Sequence, residues 1–128
     1  MEDTLKNFTL EFFGKGKHKT TPAAFFDTKE SVILLDVRSK QEADSISINL
    51  KHHKNIKCLN IPVDEIPDRI DEIPVDKLVA LFCPASVRSA IVYGFLMAKG
   101  LANIRILEGG YPALTDALLP GRILQITQ

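Results

Sequence analysis

The chain has 128 residues, enough for one domain with its own core, and apolar residues make up 45% of it against 25% charged. That balance excludes a disordered or collagen-like chain, and sixteen basic side chains against sixteen acidic ones leave no net field to recruit nucleic acid or an anionic membrane. Two cysteines make no disulfide framework, no apolar stretch is long enough to span a bilayer, and Met1-Glu2-Asp3-Thr4-Leu5-Lys6 lacks the order of a secretion signal, so a reducing, cytoplasmic setting is expected.

In chain order, apolar Phe8, Leu10, Phe12 and Phe13 precede a basic stretch, Gly14-Lys15-Gly16-Lys17-His18-Lys19. Lacking a GK[ST] ending and a leading strand, this stretch is expected as a solvated turn rather than a phosphate loop, and residues 1–19 as an N-terminal extension. Thr21 and Pro22 suit the cap and first position of a short helix running to Phe26. Val32-Ile33-Leu34-Leu35-Asp36-Val37 is a continuous, partly β-branched apolar run, the pattern of a strand buried on both faces. A second strand is expected over 56–61, stopped by Pro62, then a short helix over 65–70 limited by Pro67. A third buried strand, 78–82, runs straight into Cys83. Helical apolar spacing over 86–99 ends at Gly100, a residue suited to a left-handed cap. A fourth strand over 103–107 leads through Gly109-Gly110 to a closing helix around 113–119.

Short strands separated by helices imply parallel pairing with right-handed crossovers. The expected fold is a three-layer, single-domain α/β architecture with a central, mainly parallel sheet of about five strands flanked by helices. In such sheets active sites lie beyond the carboxyl ends of the strands, which here release three loops: 38–41, 83–88 and 108–111.

The segment Cys83-Pro84-Ala85-Ser86-Val87-Arg88-Ser89 carries the chemistry. A thiol of ordinary pKa ~8.5 is mostly protonated at neutral pH, whereas the thiolate is the nucleophile. Free N–H groups and the positive dipole end at a helix start favour the anion, and a curled loop aims further N–H groups inward as a nest. Arg88 adds a fixed positive charge or braces the loop. The set suits a persulfide, which needs a cradle for its terminal sulfur without a second protein thiol.

These residues resemble the rhodanese family, whose active loop is Cys-x4-Arg at the start of a helix. The resemblance runs from about Thr20 to Pro120 and includes Asp36-Val37-Arg38 with Glu42 downstream, Asn60-Ile61-Pro62 after the second strand, and Leu107-Glu108-Gly109-Gly110-Tyr111-Pro112-Ala113 before the closing helix. It implies a rhodanese-like domain over 20–120 with a C-terminal tail over 121–128. It also implies a sulfurtransferase that moves sulfane sulfur from thiosulfate, a polysulfide or a persulfide, through Cys83, to a thiol or cyanide. No cofactor or metal is expected, and the partners are small sulfur donors and acceptors, with a thiol-bearing acceptor protein as a further candidate. Nucleic acid and membrane are not expected partners.

Phosphatases and arsenate reductases of related fold use Cys-x5-Arg, a wider nest for a tetrahedral oxyanion; the four residues between Cys83 and Arg88 favour sulfur over that alternative. Four departures from the family pattern stand out. Ser86 replaces a usual Gly, so a positive φ there would be costly, although its hydroxyl could donate to a bound sulfur. Pro84 removes one N–H donor. The usual Gly-His-Ile is replaced within 45–54, and the usual Trp after Gly-Gly is replaced by Leu114. A binding or regulatory module that keeps the thiol with little turnover is the second reading these departures raise.

Other residues receive plainer readings. Asp36, Arg38 and Glu42 read as an ion-pair set that fixes the strand end, and Gly109 and Gly110 as support for the turn. Cys58, mid-strand between Lys57 and Leu59, reads as a structural thiol. His52 and His53 lack zinc-site spacing and read as a solvated loop. Glu108 is a candidate for the pocket mouth.

Overall fold

The structure is a computed structural model that describes residues 2–48, 50 and 53–118. The expected tail over 121–128, the end of the expected closing helix, and three residues of the 45–54 segment (Asn49, Lys51 and His52) lie outside the described residues.

Among the described residues five strands form one sheet: β1 (Lys19–Thr20), β2 (Val32–Asp36), β3 (Ile56–Asn60), β4 (Val79–Phe82) and β5 (Ile104–Leu107). Their order is β1-β5-β4-β2-β3 and every pairing is parallel. The expected α/β class and sheet direction therefore hold. β1 goes beyond the four runs legible in the sequence. It has only two residues, one a lysine, and is held by pairing: Ile106 N–H donates to the His18 carbonyl at 2.8 Å and Glu108 N–H to that of Thr20 at 2.9 Å.

Alternation along the central strands divides the core into two layers. Ile33 and Leu35 of β2 and Val79 and Leu81 of β4 face one cluster with Ile66, Val92 and Leu96. Val32, Leu34, Ala80 and Phe82 face the other with Phe25 and Leu114. Both faces being covered explains the unbroken apolar runs. The first layer takes α5 (Ile66–Arg69) and α6 (Val87–Ala98); the second takes α3 (Pro22–Asp27) and α7 (Gly110–Leu118). Leu114 is thus a buried core residue.

Local signals set several helix ends. Thr21 caps α3, its hydroxyl accepting from Ala24 N–H at 3.1 Å, with Pro22 in the first turn. Gly100 follows α6 with φ 89°. The helix expected over 65–70 is broken into α5 and flanking 3-10 turns at Val63–Glu65 and Ile70–Glu72. α7 begins at Gly110, earlier than the spacing of apolar residues suggested.

Three helices were not expected. α1 (Glu2–Lys6) and α2 (Leu10–Gly14) build the N-terminal segment, with Thr9 capping α2. Phe8 and Phe12 pack against the α6-side core, and Phe8 lies 5.9 Å from the Tyr93 ring. The basic stretch after α2 is a turn at its start, with Gly16 at φ 65°, but becomes β1 at Lys19. α4 (Lys40–Ser45) occupies part of what reads as the loop after β2.

Candidate active site

Cys83 is placed by strand alternation. Val79 and Leu81 point into the α6-side core, and Cys83, two residues further, belongs to the same cluster and is 1% exposed. The chain then turns through Pro84, Ala85 and Ser86 into α6. Ser86 stands at φ 65°, the sole non-glycine residue with positive φ among those described, as the resemblance to a loop with Gly here implied. In that conformation its side chain makes no capping bond. The cysteine takes over the role: Ser89 N–H, in the first turn of α6, donates to Cys83 Sγ at 3.3 Å. The sulfur therefore sits where a helix supplies unpaired donors and a positive dipole end. Ser89 is fully buried, and its hydroxyl has no hydrogen-bond partner among the described residues.

Arg88 points away from a bare charge role. Its guanidinium forms a two-pronged pair with Glu42, at 2.6 and 2.9 Å. Glu42 is in turn the third residue of a capping box, accepting from Ser39 N–H at 3.1 Å while Ser39 Oγ accepts from Glu42 N–H at 3.2 Å. The Arg88 bonds, then the Ser39 N–H, hold the Glu42 carboxyl at about 2, below the ordinary carboxylate range. The same pair raises Arg88. The α6 loop is thus tied to the start of α4 by a charge-assisted fork.

Of the Asp36, Arg38 and Glu42 set, Arg38 pairs with the Asp36 carboxylate and reaches Glu42 only at its backbone carbonyl, at 3.4 Å, while the Glu42 carboxylate goes to Arg88. Arg38 and Asp36 are 1% and 2% exposed and are joined at 2.6 to 3.1 Å by three side-chain bonds. Arg38 also donates to the Ile46 carbonyl at 2.7 Å and the Tyr111 hydroxyl at 3.1 Å. Its guanidinium lies 5.4 Å from the Phe82 ring centre and 5.6 Å from that of Tyr111. The Asp36 bonds raise Arg38, which offsets the burial of its charge. Asn60 adds a clamp, donating to the Asp36 and Arg38 carbonyls at 3.0 Å each.

The third loop closes the site from the other side. Gly110 has φ 58°, and a Cβ there would lie 1.7 Å from the Pro84 carbonyl oxygen. Only glycine permits that approach. Tyr111 N–H donates to the same oxygen at 3.4 Å, so the residue after the cysteine is held from behind. Gly109, at φ 87°, is equally confined, its added Cβ falling 2.4 Å from that of Ala113.

A rhodanese-like domain model matches residues 23–117. The chain belongs to the rhodanese-like family. It is 32% identical over 91 residues to a sulfurtransferase of Allochromatium vinosum, covering 71% of this chain and 78% of that one. A rhodanese-related protein from Thermoplasma volcanium superposes with TM-score 0.67 at 28% identity, over 80% of this chain and 95% of that one. An NAD-dependent persulfide reductase from A. fulgidus superposes with TM-score 0.58 at 29% identity, over 85% of this chain, which spans only 17% of that longer protein. The rhodanese-like relationship supports sulfur transfer as the general activity, with a sulfur donor and an acceptor as substrates.

The three loops expected to carry the site do converge. Cys83 to Ser89, Arg38, Glu42, Gly109 and Gly110 all lie at the carboxyl edge of the sheet or in contact with residues that do. Glu108 does not join them: its carboxylate pairs with Lys19 at 2.7 Å and lines a separate depression with Thr21, Pro22 and Ala113. Cys58 lies mid-strand on β3, exposed in area; burial of the sulfur, then the Asp36 charge, pushes its thiol up to about 11. His53 meets the Phe26 ring at a tilt of 45°, with centroids 5.0 Å apart. Among the described residues no cluster of three metal-ligating side chains is present.

Ser39, Asn60 and Tyr111 hold the site but carry no role in the sequence reading. Ser39 was detectable, since Ser39-Lys40-Gln41-Glu42 has capping-box spacing. The reach of Tyr111 to Arg38, across 73 positions, has no local signal.

Proposed function

We propose that the protein carries sulfane sulfur as a persulfide on Cys83, taking it from thiosulfate or a related donor and passing it to a thiol or cyanide. The single observation that carries the reading is Ser89 N–H on Cys83 Sγ at the start of α6, inside a loop curled by the left-handed Ser86. Its four-residue spacing from Cys83 to Arg88 and the family relationship lend further support.

In the first step the Cys83 thiolate attacks the outer sulfur of thiosulfate. A bond forms between Sγ and that sulfur, the bond to the sulfonate breaks, and sulfite leaves with its electron pair. In the second step the acceptor attacks the terminal sulfur, and the electron pair of the broken S–S bond returns to Sγ. No outside oxidant is required. The N–H donors of the loop and of the first turn of α6 stabilise negative sulfur in both states. Arg88, occupied by Glu42, acts as a brace for the loop rather than as a free cation. Two half-reactions through a covalent intermediate give ping-pong kinetics.

Intact-mass measurement after thiosulfate treatment tests the reading. One added sulfur on the wild type, absent from Cys83→Ser and discharged by cyanide as thiocyanate, is the expected result. No adduct on the wild type overturns it. An adduct that neither cyanide nor thiols discharge favours a binding or regulatory module instead.

A further inference from the structure

Beside the active loop the first turns of α6 leave an apolar stripe uncovered. Val87 is 65% exposed and Ile91, one turn on, is 61% exposed. Two large aliphatic side chains standing in solvent on consecutive turns are uncommon for a helix whose opposite face is fully packed. Ile91 and Phe95 form one wall of an apolar groove whose other wall is Val63, Ile66 and Pro67. The groove meets, at Val63, a second depression lined by Ser39, Pro62, Asp64 and Arg88. A single channel thus leads from the rim of the Cys83 loop along α6.

The bank opposite α6 has a strong local charge on an otherwise neutral chain. Between Val63 and Asp76 stand Asp64, Glu65, Asp68, Asp71, Glu72 and Asp76, against one cation, Arg69. Arg69 is already shared by Glu65 and Glu72, at 3.0 and 2.7 Å. Asp64, Asp68 and Asp71 have no ion pair among the described residues, and Asp64 and Asp68 are exposed. An apolar trough with an acidic bank selects a segment that is both apolar and basic. Cys83 itself is buried, so a docked acceptor must present its sulfur at the loop rim, where Ala85 and Val87 are exposed.

We propose that this channel docks the sulfur acceptor as a polypeptide: a cysteine-bearing segment with an aliphatic anchor in the groove of Ile91 and Phe95 and lysine or arginine facing Asp64 and Asp68. The proposal rests on Cys83 being the sulfur carrier and narrows the acceptor from thiols in general to a basic protein thiol. In the transfer, the segment's thiolate bonds the terminal sulfur of the Cys83 persulfide, the S–S bond to Sγ breaks, and Sγ leaves as thiolate.

The probes are two synthetic peptides, each with one cysteine and a leucine three residues away, one flanked by three lysines and the other by three glutamates. Binding is read by fluorescence anisotropy on Cys83→Ser, which needs no persulfide; transfer is read on thiosulfate-loaded wild type, with glutathione as a small acceptor. The lysine peptide should bind roughly tenfold more tightly than the glutamate peptide at low salt and lose most of that margin in high salt. Ile91→Ser, and separately Asp64→Asn with Asp68→Asn, should each weaken that binding several-fold and slow transfer to the lysine peptide. Transfer to glutathione should stay unchanged. Equal binding of both peptides, or equal loss toward peptide and glutathione, overturns the docking surface. Concentration-dependent dimerisation abolished by Ile91→Ser overturns it in favour of a second copy. Failure to load sulfur on Cys83, with peptide selectivity intact, removes the carrier reading alone.

Discussion

Ser86 and Gly110 are the residues whose backbones the site constrains most, and they are filled oppositely. At φ 65° Ser86 occupies a region that costs an L-residue roughly 1 kcal/mol, yet it makes no capping bond that would offset the cost. Ser86→Gly is therefore expected to raise stability by about 0.5–1 kcal/mol in urea unfolding. If Ser86 Oγ donates to a bound sulfur, the same variant should release sulfur to cyanide faster while loading normally; unchanged discharge would assign the serine no such bond. Gly110 has no such latitude. A methyl group there meets the Pro84 carbonyl at 1.7 Å, against backbone that cannot move without carrying the Cys83 loop along. Gly110→Ala should cost about 2 kcal/mol or more and reduce persulfide loading. Loading at wild-type rate would show that the loop tolerates displacement from behind.

At the scale of elements, α4 and α6 are joined by Glu42 and Arg88, and pH reads that joint. The Glu42 carboxyl lies at about 2 in the fold, below its ordinary value of about 4.3 when unfolded. The bond thus stabilises fully above the unfolded value and is lost as pH falls toward the folded one. The melting-temperature gap between wild type and Glu42→Gln should be constant from neutral pH to about 5 and close between there and about 2. It should narrow in high salt, because both side chains are about one-third exposed. A gap unchanged down to pH ~2 would mean the stabilisation does not come from this charge pair. The elements also show why some structure was legible and some was not. β2 and β4 announce themselves because burial on both faces demands unbroken apolar runs, and Thr21-Pro22 and Gly100 carry end signals in one or two residues. The Cys83 loop was legible because a strand must end and a helix begin around it. β1 was not, since two residues gain strand geometry only from their partners Ile106 and Leu107. The sequence groups Glu42 with Asp36 and Arg38 as one ion-pair set; its carboxylate partner, Arg88, lies 46 positions away and is brought to 2.6 Å only by the fold.

Across the whole molecule, the N-terminal segment is tied to α6, the helix that follows the Cys83 loop, by aromatic contacts. Phe8 stacks on Phe12 at 5.2 Å and lies against Tyr93 of α6, while Phe13 meets His18 edge-on at 5.0 Å. His18 joins this cluster with a buried Nδ1 that has no hydrogen-bond partner among the described residues. Burial, then the neighbouring Lys19 charge, lowers its imidazole below the ordinary value, partly opposed by Glu108. The fold therefore prefers neutral His18. The sign follows: stability is full above the unfolded value of about 6.5, declines as pH falls below it, and levels off once the folded imidazole is itself protonated. His18→Phe keeps the ring contact and removes the titration. Amide hydrogen exchange in α1 and α2 should thus quicken in the wild type between pH 7.5 and 5.5 (after correction for intrinsic rates), and much less in His18→Phe. Phe8→Ala should quicken it at every pH and lower global stability by about 1–2 kcal/mol, because the ring packs on Tyr93 at the core side of α6. Parallel pH dependence in wild type and His18→Phe would place the sensitive group elsewhere, and unchanged stability in Phe8→Ala would make residues 2–18 an appendage rather than part of the core that carries Cys83.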